Sequence, residues 1–280
     1  MTPTLGAGEI RKIAESLDLH PSKSLGQNFV VDGNTCRKIV RLSGVTESDV
    51  VMEIGPGLGS LTIALMDVAR SVVAIEIDKR LAIQLPKTIA LHLPDKSNSL
   101  TVMNADAMKV SEISPAPTAL VANLPYNVSV PVLLHILESF PSIEHGIVMV
   151  QAEVAERLAA RAGSKTYGVP SVKLGWWAEA KVADSISREV FWPVPRVDSL
   201  LLSFERRHEA QVQDETLRRK TFSIIDSAFA QRRKMLRSSL AGLFGSSELA
   251  SQHLISLGID PTARAENLTL KDFTAIARGI

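Results

Sequence analysis

The chain has 280 residues, with 31 Lys/Arg against 30 Asp/Glu, and 45% of its residues are hydrophobic. That balance is typical of a globular protein and excludes extended disorder. The sequence has no run of roughly 18 apolar residues that could cross a membrane, and its N-terminus lacks the pattern of a signal peptide. A single cysteine, Cys36, excludes an internal disulfide, and no His/Cys pair has metal-ligand spacing. We therefore expect a cytoplasmic protein without a metal ion. A monomer is a separate expectation that these features do not determine.

The first part of the chain alternates short apolar runs with helical patterns, which is typical of parallel β/α units. The predicted strands are Asp49–Ile54, Ser71–Ile77, Leu100–Met103, Ala119–Ala122 and Gly146–Val150. The predicted helices are Leu58–Val68, Lys79–Leu91, Pro131–Phe140 and Gln151–Ala160. This order predicts an α/β fold with a Rossmann-like, doubly wound sheet.

The pattern changes after about residue 162. Residues 174–184 resemble a helix end and a strand, and residues 198–205 resemble a last strand. Beyond residue 207 the pattern is purely helical, with predicted helices at Glu215–Phe229, Lys234–Leu243, Ser247–Leu257 and Leu270–Arg278. We therefore predict two domains, a doubly wound domain at 1–206 and a small all-helical domain at 207–280.

A glycine-rich segment, 53–60, follows the first strand of the predicted sheet and contains Gly55, Gly57 and Gly59. Glycine is needed where the backbone approaches a ligand closely or adopts dihedral angles that side chains disfavour. In doubly wound folds this edge of the sheet binds ligands. Glu76 ends the next strand, where a carboxylate can accept hydrogen bonds from both ribose hydroxyls of a nucleotide.

Two cofactors compete for this geometry. A dinucleotide site requires G-x-G-x-x-G, but the third position here is Ser60. The spacing G-x-G-x-G with an acidic residue, Glu53, two positions before it suits S-adenosylmethionine, which has no pyrophosphate. A glycine-rich turn without a ligand is the structural alternative.

Asp106 follows the third predicted strand and reaches the same edge of the sheet. Its carboxylate could accept a hydrogen bond from the adenine amine of the cofactor. An Asp in this position is also often no more than a helix N-cap. The glycine loop and Glu76 favour the cofactor role.

The tetrapeptide Asn123-Leu124-Pro125-Tyr126 follows the fourth predicted strand. Methyl transfer to an adenine amine requires its lone pair to be drawn out of conjugation with the ring. The side-chain oxygen of Asn123 and the carbonyl of Leu124 could accept the amine hydrogens, and Pro125 would stiffen the loop. Tyr126 offers a ring on which an extruded base can stack. A tight turn with a capping Asn and a packed Tyr is the structural alternative.

Two further segments have two interpretations each. Phe191 belongs to an aromatic and proline-rich run, 191–199, and either covers the second face of the base or packs at a domain junction. A basic cluster lies at 231–237, in a tail (206–280) with 12 Lys/Arg and 8 Asp/Glu. It provides either phosphate contacts or a solvated surface. Its cations are Arg232, Arg233, Lys234 and Arg237.

These motifs together resemble the ribosomal RNA adenine dimethyltransferases, within them the bacterial small-subunit type. The matching stretches are 24–29, 53–62, 76–78, 104–107, 123–129, 150–158, 191–199, 232–237 and 264–268. The large-subunit enzymes that confer macrolide resistance share the glycine loop and the tetrapeptide. The runs 195–199 and 264–268 favour the small-subunit type. A non-catalytic assembly factor is disfavoured because the glycine loop and Asn123 are intact.

The resemblance implies a set of contacts. Asn123, Leu124 and Tyr126 would hold the target base, with Phe191 on its other face, and the basic cluster would contact phosphates. The implied cofactor-binding residues are Gln27, Asn28, Val30, Gly55, Gly57, Glu76, Ile77, Asp106, Ala107 and Asn123. Val30 stands where relatives commonly have Leu, and Ala152 where a basic residue is common.

The resemblance also implies the substrate. The family dimethylates two adjacent adenosines in a hairpin loop near the 3′ end of 16S ribosomal RNA. It acts on a precursor of the 30S subunit, late in assembly, and loss of the modification is associated with kasugamycin resistance.

Overall fold

A computed structural model describes residues 4–21, 27–209 and 214–279. The chain divides into two compact units. The first combines Met1–Ala155 with Lys181–Glu205, and the second combines Glu156–Ala180 with Arg206–Ile280. Of the predicted stretch 24–29, residues 24–26 lie outside the described residues.

The strands of the structure form one large sheet and one small one. They are β1 (Phe29–Val30), β2 (Val50–Ile54), β3 (Ser71–Glu76), β4 (Leu100–Asn104), β5 (Ala119–Asn123), β6 (His145–Gln151), β7 (Ala178–Ile186), β8 (Phe191–Trp192) and β9 (Ser199–Arg206). The large sheet has seven strands in the order β4-β3-β2-β5-β6-β9-β7. Strands β2 to β6 run parallel, and β9 is antiparallel to β6. The predicted fold class is confirmed.

The central strands are buried along their whole length, as continuous apolar runs require. All five residues of β2 are buried. The helices of the first unit are α1 (Ala7–Ser16), α2 (Gly33–Ser43), α3 (Ser60–Val68), α4 (Lys79–His92) and α5 (Ser129–Ser139), and α6 (Ala152–Leu158) begins in it. One hydrophobic cluster contains residues of the helices α1, α2, α3 and α4. It also contains alternate residues of the strands, such as Val51 and Val121. Leu133 and Ile136 of α5 are buried outside that cluster, consistent with helices on both faces of the sheet.

Side-chain caps set where several helices begin. The Asp32 carboxylate accepts a hydrogen bond from the backbone N–H of Thr35 at the start of α2, and α2 ends at Gly44, whose φ is 72°. Asp78 caps α4 in the same way through the N–H of Arg80. These caps fix the connections that follow β1 and β3.

The small sheet pairs β1 with β8 antiparallel, so that Phe29 lies opposite Trp192 and Val30 opposite Phe191. The rings of Phe29 and Trp192 stack with their centroids 6.1 Å apart. This pairing joins the segment before α2 to the aromatic and proline-rich run.

The second unit is helical around an aromatic core. Its helices are α7 (Val169–Trp177), α8 (Glu215–Ala230), α9 (Leu236–Ser239), α10 (Ala241–Phe244), α11 (Ser247–Ser256) and α12 (Leu270–Arg278). The ring of Phe222 on α8 meets Trp176 and Trp177 of α7 edge-on, at 6.0 and 5.4 Å. Lys173 of α7 pairs with Asp226 of α8 at 2.8 Å.

The structure corrects the predicted domain boundary. Residues 156–180 belong to the helical unit, whereas the prediction placed them in the domain 1–206. The reason is the packing of the two tryptophans of α7 against α8, a contact between segments about 45 residues apart that periodicity does not reveal. The predicted helix 234–243 is also wrong in its extent, because α9 and α10 are separate four-residue turns. Among the described residues, none of the helices combines the length and apolar composition that a bilayer crossing requires.

Candidate active site

A cavity of about 320 Å³ opens at the carboxyl ends of β2, β3 and β5 in the first unit. All ten predicted cofactor-binding residues line it: Gln27, Asn28, Val30, Gly55, Gly57, Glu76, Ile77, Asp106, Ala107 and Asn123. The sheet thus gathers into one cavity residues that lie up to 96 positions apart in the sequence. Their individual roles remain predictions.

The glycine loop lies against the ring of Phe29 and beside the backbone of Asn123. Gly55, Gly57 and Gly59 have φ values of 68°, 59° and 100°, which side chains disfavour. A Cβ on Gly57 would lie 2.9 Å from the ring of Phe29, and a Cβ on Gly55 would lie 3.8 Å from the backbone oxygen of Asn123. The loop therefore needs glycine, and it lies beside the predicted catalytic loop.

Glu76 is buried, and its carboxylate already holds two backbone groups. Oε2 accepts a hydrogen bond from Gly57 N at 3.2 Å, and Oε1 accepts one from Asp78 N at 2.9 Å. Burial nevertheless raises the pKa of Glu76 above its ordinary value. Each carboxylate oxygen has two lone pairs, so Glu76 can also accept from ligand hydroxyls.

Glu53 also lines the cavity, although it is not among the ten predicted cofactor-binding residues. Its side chain is 1% exposed and lines the cavity, and its Oε2 atom has no hydrogen-bond partner among the described residues. Burial, with the nearby charge of Glu76, raises the pKa of Glu53 to about 8. A buried carboxyl with one unpartnered oxygen suits a cationic ligand, because ionising it requires a compensating positive charge. Its position two residues before the first glycine was the available signal.

Three exposed apolar side chains form another part of the lining, and only the first of them, Ile77, was predicted. Ile77, Met108 and Val128 are 57%, 39% and 36% exposed, and all three line the cavity. Exposed apolar groups converging on a cavity with a few polar groups are typical of a ligand site. They provide surfaces suited to an aromatic base.

Asp106 has the geometry of both of its predicted roles, an N-cap and a cavity residue. Its Oδ1 accepts a hydrogen bond from Met108 N at 3.0 Å, as an N-cap does, and the residue lines the cavity. The neighbouring Asn104 donates from Nδ2 to the backbone oxygen of Glu76 at 2.8 Å. This bond holds the ends of β3 and β4 together, and with them Glu76 and Asp106.

The side chain of Asn123 has a defined orientation. Its Nδ2 donates to the backbone oxygen of Asn28 at 2.9 Å. Because a carbonyl oxygen can only accept, the amide nitrogen must face Asn28 and Oδ1 must face away from it. The residue lines the cavity.

The other members of the tetrapeptide are held individually. Leu124 donates its backbone N–H to Met149 O at 3.1 Å, and its side chain is buried. Pro125 lines the cavity, and the backbone N–H of Val128 closes a turn onto its oxygen at 3.2 Å. Tyr126 is half-buried and does not line the cavity within the described residues.

Phe191 lies in the hydrophobic core with 2% of its surface exposed, opposite Val30 on β1. Among the described residues it is not part of the cavity lining. This burial is consistent with the packing alternative, and the predicted role of Phe191 against the base stays a prediction. Phe191 belongs to the hydrophobic cluster that also contains Phe29 and Val30.

The basic cluster lies in the second unit, in the turn between α8 and α9. Arg232 is ion-paired with Glu266 at 3.0 Å and donates to Lys165 O at 2.5 Å. Arg233, Lys234 and Arg237 are exposed, and the described residues contain no ion pair for them. No three His, Cys, Asp or Glu side chains cluster as metal ligands anywhere in the described ranges.

Fold and cavity together define a class of protein. A doubly wound sheet presents a glycine loop, a carboxylate placed to accept from ribose hydroxyls and a second, buried carboxyl group. These groups suit a nucleoside ligand that carries a positive charge. An oriented amide oxygen lies at the same cavity. This is the arrangement expected of an S-adenosylmethionine-dependent methyltransferase.

Comparison with known proteins specifies the family. The sequence model of the ribosomal RNA adenine dimethylase family matches residues 20–280. The chain is 53% identical to a ribosomal RNA small subunit methyltransferase A of Leifsonia xyli subsp. xyli, over 98% of the chain and 97% of that protein. It is 55% identical to the protein of the same name from Streptomyces avermitilis, over 98% and 92%.

Solved structures agree on the fold. A dimethyladenosine transferase from Plasmodium falciparum superposes with a TM-score of 0.75 at 24% identity, covering 88% of this chain and 94% of that one. The 23S rRNA methyltransferase ErmE superposes with a TM-score of 0.67 at 25% identity, covering 89% and 98%.

The chain belongs to the ribosomal RNA adenine dimethylase family. It is an enzyme of the S-adenosylmethionine-dependent methyltransferase class, and the predicted resemblance to the bacterial small-subunit type is confirmed. The predicted cofactor is confirmed at the level of the family.

The raised pKa of Glu53 gives a testable pH dependence. A bound cation favours the ionised carboxylate, so binding S-adenosylmethionine at pH 6 to 7 must release the proton of Glu53. We expect affinity to rise with pH, by at most about tenfold per unit, and to level off above the pKa of about 8. Calorimetry in buffers of different ionisation enthalpy measures the proton release.

The matched control is Glu53→Gln, which keeps the shape of the side chain and removes its titration. Free S-adenosylmethionine titrates identically in the two experiments, so the difference between the two pH profiles belongs to the presence of Glu53. Parallel profiles would show that Glu53 does not ionise on binding.

Proposed function

We propose that this enzyme transfers methyl groups to the N6 amines of two adjacent adenosines in the 3′-terminal hairpin loop of 16S ribosomal RNA. The substrate is a 30S precursor particle, the step is late in assembly, and the enzyme acts as a monomer in the cytoplasm. The observation that carries the proposal is the orientation of Asn123, whose Nδ2 is engaged by Asn28 O and whose Oδ1 is left to accept. The small-subunit names of the relatives at 53% and 55% identity support the choice of RNA.

The cofactor site has a proposed role for each group. Glu76 accepts from ribose hydroxyls, Glu53 balances positive charge, and Asp106 accepts from the adenine amine. Ile77 and Met108 provide the apolar surfaces beside that adenine. When bound, S-adenosylmethionine supplies an activated methyl group on its sulfonium sulfur.

The catalytic loop acts on the target base by positioning. In the first transfer Asn123 Oδ1 and the backbone oxygen of Leu124 accept the two amine hydrogens, which directs the nitrogen lone pair out of the ring plane. In the second transfer one hydrogen remains for these acceptors. Each time the nitrogen gains a methyl group it loses one proton, which passes to solvent. Tyr126 stacks on the extruded base, a contact worth about 1–3 kcal/mol. Holding amine and methyl group in line converts an encounter into a unimolecular step.

The exposed part of the basic cluster is proposed to contact phosphates. Changing Arg233 and Lys234 together to Gln should weaken 30S binding and reduce the slope of log K against log salt by about 2. Arg232 is left intact because its pair with Glu266 belongs to the fold. Filter binding across a salt series measures both effects.

A matched double change on the first unit, Arg70→Gln with Lys87→Gln, removes the same charge from exposed positions. It should leave the salt slope unchanged. Equal slopes for the two double variants would assign Arg233 and Lys234 to a solvated surface.

The choice of substrate is tested by label transfer. Purified enzyme is given labelled S-adenosylmethionine with either undermethylated 30S particles or protein-free 23S RNA. We expect label on 16S RNA and none on 23S RNA. The structural likeness to ErmE makes this comparison necessary, and label on 23S RNA alone would overturn the proposal.

A further inference from the structure

The proline-rich run 191–199 ends in a residue to which the proposed function gives no task. Ser199 is the first residue of β9 and is fully buried, with 0% of its surface exposed. Its hydroxyl shares a hydrogen bond of 2.6 Å with the hydroxyl of Tyr126, 73 positions earlier in the chain. The buried hydroxyl of Ser199 therefore anchors the side chain of Tyr126 in the catalytic loop.

Ser199 is a rigid anchor because its neighbours fix the backbone on both sides. It lies opposite Gln151 in the antiparallel pairing of β6 with β9. The preceding residue, Asp198, accepts a backbone hydrogen bond from Ala152 at 2.9 Å and forms an ion pair with Arg188 at 3.0 Å. The Ser199 hydroxyl thus has little freedom to move.

Tyr126 needs such an anchor. It lies inside the turn closed by Val128 N and Pro125 O, and its ring is only half-buried. The hydroxyl oxygen of a tyrosine lies on the axis of the bond between Cβ and the ring, so anchoring that oxygen fixes χ1 and with it the position of the ring. Burial raises the pKa of Tyr126 above its ordinary value, which keeps the hydroxyl neutral and able to donate.

We propose that Ser199 is a positioning residue for methyl transfer, whose hydroxyl fixes where the Tyr126 ring lies beside the target base. The inference rests on the proposed stacking role of Tyr126. It assigns the final serine of the run 191–199 to the catalytic loop, although the serine touches neither cofactor nor base.

A double-mutant cycle tests the pair. Tyr126→Phe keeps the ring and removes its hydroxyl, and Ser199→Ala removes the partner. Each variant should lower kcat about tenfold, with the Kd for S-adenosylmethionine and the KM for 30S particles unchanged within twofold. Because both remove the same bond, the double variant should be no slower than the slower single variant.

The control is Ser203→Ala on the same strand, whose hydroxyl donates to the backbone oxygen of Lys181. Its kcat should match the wild type. Losses that multiply in the double variant, or a lower melting temperature with unchanged kcat, would overturn the positioning role. Faster turnover in Ser199→Ala would overturn it as well. The cycle is run on whichever RNA the wild type methylates, so an error in the substrate proposal does not affect its outcome.

Discussion

Replacing Asn123 by alanine is expected to lower kcat by at least about a hundredfold, the loss typical of one electrostatic contact in a transition state. Cofactor and 30S binding should change little. The hydrogen bond to the amide strengthens as the amine nitrogen gains positive charge in the transition state, so its effect falls on the chemical step. Single-turnover methylation of 30S particles measures it.

Asn98→Ala is a matched control, because it makes the same chemical change at an exposed position outside the cavity lining. Its rate should equal that of the wild type. A wild-type rate in Asn123→Ala would show that the oriented Oδ1 atom is not the acceptor. A loss confined to cofactor affinity would reassign Asn123 to binding alone.

Gly57→Ala is expected to weaken S-adenosylmethionine binding by more than about tenfold, since a left-handed backbone costs a side chain about 1–2 kcal/mol and overpacking adds about 1–3 kcal/mol. The added Cβ would lie 2.9 Å from the Phe29 ring. Displacement of the loop would also break the bond from Gly57 N to Glu76. Calorimetry measures the affinity, and thermal unfolding measures the stability.

Gly44→Ala separates the cost of the left-handed backbone from the cost of the contact with Phe29. Gly44 has a similar φ of 72°, but a Cβ there would have no atom within 4 Å. Its stability should fall by about 1–2 kcal/mol, with cofactor affinity unchanged. Equal cofactor affinities for the two variants and the wild type would show that the close approach of Gly57 to Phe29 is irrelevant to binding.

The sheet and its ligand edge could be predicted because both depend on local patterns. Continuous apolar runs such as Val50–Ile54 identify buried parallel strands, and glycine spacing identifies a loop that backbone must approach. Since parallel strands share one carboxyl edge, Glu76, Asp106 and Asn123 had to lie near each other.

Features that depend on long-range packing could not be predicted. The sequence left two interpretations of Phe191 open, and its burial opposite Val30 depends on the pairing of two distant segments. Residues 156–180 carry no sign of the unit they join until Trp176 and Trp177 meet Phe222. The bond between Tyr126 and Ser199 likewise needs two distant segments to be brought together.

Glu53 and Met108 are a different case, because the signals were local. An acidic residue in an otherwise apolar strand conflicts with burial unless a ligand compensates its charge. Met108 follows Asp106 and Ala107 at the ligand edge, where an exposed apolar side chain serves binding. Residues that contradict the expected burial pattern were therefore the informative ones.

Mass spectrometry of 16S RNA from undermethylated 30S particles, incubated with the enzyme and S-adenosylmethionine, tests the central claim most directly. We expect the mass of four methyl groups on one fragment, two on each of two adjacent adenosines in the 3′-terminal hairpin loop. An unmodified hairpin, or methyl groups on any other base, would contradict it.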